Sequence, residues 1–332
     1  MRRLALAISL AIAAAAQAQT PSTGSEPALS LPKGQAYPGK PIRLVVGFPP
    51  GGGIDLSARL YAAKLQEPLG TPIVVENRPG ATGIVAGEAV AKSAPDGYTL
   101  LVGASGQMTI NPVILPKHPY DTVRDFAPIT TLAQFPMLIA VNPSFPAKSL
   151  SDLVALAKAK PGELAYSHGG AAHQVAAEMF SQAVGIEMRN IPYKGGVPAV
   201  GAAVAGDVPI VIVDSAAATA QIRAGRLRVL AVTSAARTPL VPDAPTVAES
   251  GVPGYDISVW AGLFAPAGTP QAVVSRLYQE ASRAMSEADT REKLKSIGMD
   301  PGGLSPEQLG AMIKSDLAKY AAIVKAANIR AD

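Results

Sequence analysis

Short apolar runs rich in β-branched residues alternate with segments of helical periodicity along most of this 332-residue chain. The first example is residues 42–48 (IRLVVGF), followed by a glycine-rich break and by leucines at helical spacing up to Leu69. Residues 73–75 and 98–102 are the next apolar runs, and residues 84–92 between them have helical periodicity. This order predicts parallel strands buried on both faces, with helices packed on either side of the sheet.

The alternation continues through the middle of the chain. Strands are predicted at residues 138–141, 164–167, 186–193, 208–214 and 228–233, and helices at 149–159, 173–184 and 197–205. After Trp260 the pattern becomes helical, with one helix from Thr269 to about Met285 and a last helix that begins at Ser305. The length favours two α/β lobes, with the chain crossing between them, over one very wide sheet.

The N-terminus has the three parts of a secretory signal peptide. Arg2 and Arg3 supply positive charge, residues 4–16 are almost wholly apolar, and Ala16-Gln17-Ala18 provides a small-x-small cleavage site. The apolar run is about half the roughly 20 residues that a spanning helix needs, which favours cleavage after Ala18 over an uncleaved anchor. We therefore expect export of a soluble protein to the periplasm, with a flexible lead-in over residues 19–39.

Composition excludes several functional classes. The chain has no cysteine, so disulfide scaffolds, thiolate zinc sites, iron–sulfur clusters and cysteine nucleophiles are ruled out. A hydrophobic fraction of 48% excludes disorder over most of the chain, and a formal net charge of +4 without basic clusters gives no nucleic-acid footprint. Loss of two arginines with the signal peptide lowers that charge from +4 to +2.

The sharpest local feature is the loop at residues 48–55 (FPPGGGID), between the first strand and the first helix. Its glycines let the backbone approach a ligand closely, and its amides lie at a helix N-terminus, where the helix dipole favours an anion. A Walker loop would end in Gly-Lys-Ser/Thr, and the dinucleotide fingerprint would need glycine where Leu56 stands. The alternative to an anion site is a tight turn that binds nothing.

Residues 166–173 (YSHGGAAH) form a second glycine-rich connection from a strand to a helix. Two such loops, one in each lobe, would face each other and suit a small carboxylate in an interlobe cleft. Smaller candidates are residues 103–107 (GASGQ), residues 193–196 (YKGG) and the Asp214-Ser215 pair. The candidate ligand-binding residues are Phe48, Pro50, Gly51, Gly52, Gly53, Asp55, Ser105, Gln107, His168, Gly169, Gly170, Ala171, Ala172, His173, Tyr193, Gly195, Asp214 and Ser215.

Two other kinds of site are conceivable from the same residues. His168 and His173 could suggest zinc, but their spacing differs from that of HExxH and no third ligand lies nearby in the sequence. Ser105, His173 and Asp214 could form a hydrolase triad, but no G-x-S-x-G elbow is present. We therefore predict no metal, no cofactor and no catalysis. Asp55 is expected to complement a helix dipole, and Asp214 either to contact a ligand amine or hydroxyl or to cap the next helix.

Several longer stretches match one family in order. They are residues 37–55 (YPxKPIRxVVxFPPGGxxD, where x marks positions outside the match), 75–81 (VENRPGA), 95–100 (PDGYTL), 191–196 (IPYKGG), 230–233 (LAVT), 245–251 (PTVAESG) and 260–270 (WAGLFAPAGTP). Together they closely resemble the tripartite tricarboxylate transporter substrate-binding proteins, also called TctC or Bug receptors. Each stretch alone is weakly specific, whereas the ordered set is highly specific and runs from about Tyr37 to the C-terminus.

The resemblance implies a type II periplasmic-binding-protein fold, in which two α/β lobes close on a ligand. It places lobe 1 at residues 40–140 and 260–332, and lobe 2 at residues 141–259. It also implies a non-enzymatic receptor, which we expect to be a monomer. Receptors of this family bind di- or tricarboxylates, acidic amino acids or aromatic acids and deliver them to a two-part membrane permease driven by an ion gradient.

In the family, the carboxylate clamp comes from loops that correspond to the two described above. The first loop matches the family pattern. The second has Ala171 and Ala172 where members usually carry a serine or threonine, which removes the hydroxyl and retains the backbone amides. His168 stands where many members have a small or amide residue, which suggests an altered ligand preference. Two alternatives stay open: an exported α/β hydrolase or lyase that uses the same cleft, and a sensory receptor read by a membrane kinase.

Overall fold

The computed structural model describes residues 37–327. The predicted signal peptide, and the predicted lead-in up to residue 36, lie outside the described residues. None of the helices in the described part of the chain combines the length and the apolarity that a membrane crossing requires.

Three parallel strands and two helices open the fold, as the alternation predicts. They are β1 (Ile42–Val46), α1 (Gly53–Leu69), β2 (Ile73–Asn77), α2 (Ile84–Ala91) and β3 (Thr99–Ala104). β1 lies between β2 and β3 and pairs with both in parallel. Four of its five residues are buried, which accounts for its nearly continuous apolar sequence.

The middle of the chain repeats this alternation. It contains α3 (Asn111–Ile114), β4 (Phe126–Val141), α4 (Leu150–Ala159), β5 (Ala165–His168), α5 (Ala171–Val184), β6 (Arg189–Pro192), α6 (Gly196–Ala205), β7 (Ile210–Asp214), α7 (Ser215–Arg223) and β8 (Arg228–Val232). β5 lies between β6 and β7 and pairs with both in parallel. Ser149 caps α4 in a capping box with Asp152, which satisfies backbone donors at the helix N-terminus.

The last part of the chain contains β9 (Ser258–Pro266), α8 (Gln271–Ser286), α9 (Ala288–Ser296), β10 (Asp300–Pro301) and α10 (Pro306–Ala327). The expectation of a helical pattern from Trp260 onward is wrong, because β9 extends to Pro266. Gly262 in its centre makes room for aromatic rings, since a Cβ there would lie 2.8 Å from the ring of Phe264. A glycine inside a strand weakens the strand pattern in the sequence.

β4 belongs to two groups of strands. Its first part, as far as Pro136, pairs with β9, whereas its last part, from Met137 onward, lies between β7 and β8. The sequence predicts only residues 138–141 of this strand, because Pro128 and Pro136 interrupt its apolar run. Pro128 lies at a shift of register and Pro136 at the change of partners, positions where a strand tolerates proline.

The strand pairing defines two lobes. β9 pairs with β3 and β4, so the ten strands of residues 37–327 form one connected sheet. We call the part around β1, β2, β3 and β9 lobe 1, and the part around β5, β6, β7 and β8 lobe 2. The lobe boundaries at residues 140/141 and 259/260 stay predictions. Along the chain, the change of strand partners falls between Pro136 and Met137 in β4 and at Ser258, where β9 begins.

Ile139 tests this arrangement of the core. It lies in β4 between β7 and β8 and is 1% exposed. Replacing Ile139 with alanine should lower the free energy of unfolding by about 2–5 kcal/mol, because contacts are lost and a cavity is left. Val74→Ala in β2, at a side chain that is 51% exposed, should cost less than about 1 kcal/mol. Urea unfolding followed by circular dichroism measures both, and equal losses would contradict this core.

Candidate functional site

Within residues 37–327, four helices begin at one cavity between the lobes. α1 begins at Gly53, α5 at Ala171 and α6 at Gly196, and these residues line the cavity together with Asp214, the N-cap of α7. Each helix follows the carboxyl end of a strand, which is where open α/β sheets usually bind ligands. Backbone amides at a helix N-terminus favour an anion, so this cavity gathers several anion-binding helix ends.

Asp55 holds the first glycine loop in shape. Its carboxylate is 1% exposed and accepts hydrogen bonds from Gly51 N at 2.9 Å, Arg59 Nε at 2.9 Å and Asn77 Nδ2 at 2.8 Å. Burial alone would raise the pKa of Asp55, but hydrogen bonds from Arg59, Gly51 and Asn77 outweigh burial and hold the pKa below its usual value. Asp55 therefore positions the loop, and it does not line the cavity.

The loops before α5 and α6 approach each other so closely that a side chain would not fit between them. A Cβ on Gly169 would lie 2.1 Å from the carbonyl carbon of Gly195. Across the cleft, a Cβ on Gly106 of lobe 1 would lie 2.9 Å from the backbone nitrogen of Ala172. Position 172 is thus pressed against the opposite lobe, which leaves little room for a residue larger than alanine.

His173 connects the second loop to the end of β7. The backbone nitrogens of Gly169 and Asp214 lie 3.3 Å from Nδ1 and 3.2 Å from Nε2, and a neutral ring accepts a hydrogen bond from one of them at a time. Burial, together with the neighbouring His168, lowers the pKa of His173 to about 3. The ring is therefore neutral at physiological pH and adds no cation to the cavity.

Asp214 is the one acidic side chain that lines the cavity among the described residues. Its Oδ1 accepts a hydrogen bond from Ala217 N at 2.9 Å, so Asp214 caps the following helix, which is one of the two roles expected from the sequence. The carboxylate also accepts a hydrogen bond from Gly53 N, at the start of α1 in the other lobe. Burial raises the pKa of Asp214 to about 6, and the backbone donors oppose that shift.

The cavity brings together many, but not all, of the predicted residues. Those that line it are Phe48, Gly52, Gly53, Gln107, Gly169, Gly170, Ala171, Ala172, His173, Gly195 and Asp214. Those that lie outside its lining are Pro50, Gly51, Asp55, Ser105, His168, Tyr193 and Ser215. Lining residues that were not among the candidate ligand-binding residues are Pro49, Ile54, Thr82, Ala104, Gly106, Gly196, Val197, Pro198 and Val259. Five of these lie inside the predicted loops at residues 48–55, 103–107 and 193–196, and Val197 and Pro198 directly follow the last of them, whereas Thr82 and Val259 come from elsewhere.

The residues of the conceivable triad do not assemble. The hydroxyl of Ser105 lies 3.4 Å from Trp260 N and accepts a hydrogen bond from it, while the carboxylate of Asp214 lies 3.7 Å from His173 Nε2. Ser215, the other nearby hydroxyl, donates to Gly298 O at 2.6 Å. Within the described residues, no three His, Cys, Asp or Glu side chains are grouped so that they could hold a metal ion.

Charge in the cavity comes from the backbone. Among its described lining residues none is Lys or Arg. Each helix N-terminus carries roughly +0.5 of an elementary charge, so four of them supply roughly +2. An ionised Asp214 offsets about half of this, which leaves a net positive potential in the cavity.

Two α/β lobes joined by crossing strands, with helix N-termini facing a cleft between them, define a periplasmic binding protein of type II. The chain belongs to the tripartite tricarboxylate transporter family receptors, whose family model, TctC, matches residues 57–329. The family and the fold class predicted from the sequence are therefore confirmed.

Similar proteins agree with this assignment. Protein BugT of Bordetella pertussis is 36% identical over 293 residues, which cover 87% of this chain and 90% of that protein. An R. palustris protein determined with adipate is 35% identical, with a TM-score of 0.86 over 89% of this chain and 99% of that one. MatC from Rhodopseudomonas palustris with bound malate is 31% identical, with a TM-score of 0.83 over 87% of this chain and 100% of that one.

The raised pKa of Asp214 predicts a pH-dependent stability. The folded protein keeps a proton on Asp214 that the unfolded chain releases, so this group's stabilisation is present below pH 3.8 and is lost as pH rises through about 6. Asp214→Asn keeps a capping side chain and removes this titration. Its free energy of unfolding, relative to wild type, should therefore rise by on the order of 3 kcal/mol between pH 3.5 and pH 7. Denaturant titrations across that range measure the difference, and a difference independent of pH would contradict the prediction.

Proposed function

We propose that this chain is a periplasmic solute receptor that holds one carboxylate of a small organic acid between its lobes by backbone amides. The observation that carries the proposal is the convergence of the N-termini of α1, α5 and α6 on a cavity whose described lining contains no Lys or Arg. Backbone amides that each lobe already holds in position can bind a carboxylate strongly once lobe closure has excluded water.

The proposed contacts are the amides at the start of each converging helix. They are the amide of Gly52 in lobe 1 and those of Ala171, Ala172 and Gly196 in lobe 2. Because the amides come from both lobes, one bound carboxylate stabilises the closed arrangement. Relatives of this chain were determined with adipate and malate, which supports small carboxylic acids as the ligand class.

The proposal includes export and delivery. We infer that the segment up to Ala18 is a signal peptide that is cleaved on export, and that the mature protein is a monomer that passes its ligand to a tripartite, ion-driven permease. Membership in the receptor family of that transporter supports this role. A receptor accounts for the site better than a hydrolase does, because the hydroxyl of Ser105 bonds to Trp260 N and not to His173.

A thermal-shift screen of the purified protein against mono-, di- and tricarboxylates tests the binding step. A ligand at 100 times its dissociation constant should add about 2.7 kcal/mol to the free energy of unfolding. Uptake of the identified acid by cells that lack the protein tests delivery: uptake should be lost, and restored by the wild-type chain. A protein that no carboxylate stabilises, and that instead turns over an ester or amide, would overturn the receptor assignment.

Gly170→Val should block the site while preserving the fold. Gly170 has φ of 171°, extended backbone that any residue adopts, and the nearest atom to a Cβ there is in the Phe48 ring at 3.8 Å. The valine methyl groups would occupy ligand space, so the affinity for the identified acid should fall at least tenfold, or by about 1.4 kcal/mol, in calorimetric titrations.

Gly201→Ala is the matched control for this variant. Gly201 lies in α6, with no heavy atom within 4 Å of an added Cβ. The control should bind as wild type does and be stabilised by up to about 1 kcal/mol, because alanine favours a helix. Wild-type affinity in Gly170→Val would place the ligand outside this cavity.

A further inference from the structure

A second compartment adjoins the cavity. The two spaces share Phe48, Pro49, Thr82, Gly169 and Gly195 as lining residues, so they lie side by side. We call the cavity already described the inner compartment and the second space the outer compartment. Resting on the proposed function, we propose that the outer compartment binds a second anionic group of the ligand, and that Lys194 is the residue that selects for it.

Charge distinguishes the two compartments. Among the described lining residues of both, Lys194 of the outer compartment is the one with a cationic side chain. The inner compartment has a positive backbone potential that suits a ligand carboxylate, and Asp214 would repel a second carboxylate placed beside the first. A second carboxylate on the same ligand is therefore more stable in the outer compartment, where an exposed ammonium group and water are available.

The walls of the outer compartment come from both lobes. Tyr193, Lys194 and Gly195 belong to the turn between β6 and α6 in lobe 2, and a Cβ on Gly195 would lie 3.0 Å from Pro49 of lobe 1. Residues 79–82 of lobe 1 also line this compartment. A ligand group held here would contact both lobes, as the first carboxylate does in the inner compartment.

The lobe 1 wall has a strained backbone that buried side chains hold in place. Ala81 and Thr82 have φ of 44° and 52°, left-handed values that are uncommon for residues other than glycine and least favourable for a β-branched one. Asn111 Nδ2 donates to Thr82 O at 3.2 Å, and Gln107 Nε2 donates to Gly83 O at 2.8 Å. Both amide side chains are buried, so the position of this wall is set from inside the protein.

Strain maintained in this way is common where a backbone serves a ligand. Here it holds Thr82 at the junction of the two compartments, where it lines both. The geometry therefore favours an acid with two anionic groups, one for each compartment, over an acid with one. An apolar linker between the groups suits the junction, since Phe48 and Pro49 also lie there.

Calorimetric titration tests this inference. The ligands are straight-chain diacids from succinate to suberate, each compared with the monoacid of equal length. Wild-type protein should bind the best diacid more tightly than its monoacid. Lys194→Gln should weaken that diacid about fivefold, the size of one exposed ion pair, and leave the monoacid unchanged. Raising the salt concentration should weaken the diacid more in wild type than in the variant, because salt screens an exposed charge pair.

Lys148→Gln is the matched control. Lys148 is also exposed and in the lobe 2 part of the chain, and its loss changes the net charge equally, but it lines neither compartment. This control should leave every affinity as in wild type. Two results would overturn the role of Lys194 and leave the proposed function standing. In the first, the acids bind wild type but both lysine variants change their affinities alike. In the second, wild type binds the diacid no more tightly than its monoacid. Failure of every acid to bind wild type would overturn the proposed function itself.

Discussion

The close approach of glycine-rich loops determines this site, because amides from several helices can reach one ligand only where no side chains separate their backbones. The contact between Gly169 and the Gly195 backbone is the tightest example, because a Cβ on Gly169 would lie 2.1 Å from the carbonyl carbon of Gly195. A Cβ on Gly53 would lie 3.0 Å from Oδ1 of Asp214, and a Cβ on Gly196 would lie 3.1 Å from Oδ2 of the same side chain. The abundance of glycine in this chain thus serves a particular purpose at the strand ends, where each missing side chain brings a helix dipole nearer to the ligand.

An acidic residue in the proposed anion site needs a physical account, and the hydrogen bonds of Asp214 provide one. Without it, the first donors of α7 would lack a capping partner, and the Gly53 amide would lose its acceptor when no ligand is bound. Its charge also offsets part of the potential that the converging helices create. Asp214 therefore lowers the positive potential of the cavity while it completes the hydrogen bonds of two helix N-termini.

The parts of this site that depend on neighbouring residues in the sequence could be predicted. The parts that depend on contacts between distant residues could not. The loop at residues 48–55 and the loop at residues 166–173 could be predicted, because each follows an apolar run and precedes a helix. The strained wall at Thr82 could not, since its conformation depends on the buried amides of Gln107 and Asn111. β9 could not be predicted for a similar reason. Gly262 weakens the strand pattern in the sequence, and the need for a glycine there comes from the ring of Phe264, which packs against it in the folded protein.

The same dependence on distant contacts determines how the lobes are joined. Thr233 is fully buried beside the point where β4 changes partners: its hydroxyl accepts a hydrogen bond from Met137 N at 3.0 Å and lies 2.7 Å from Ile257 O. One side chain thereby ties together both chain crossings, β4 and the segment that enters β9. Because one buried hydroxyl bonds to both segments, the two crossings are held to each other at the point where β4 changes partners. The cavity lies between the lobes, so the position of its helix ends depends on this contact as well as on the core of each lobe.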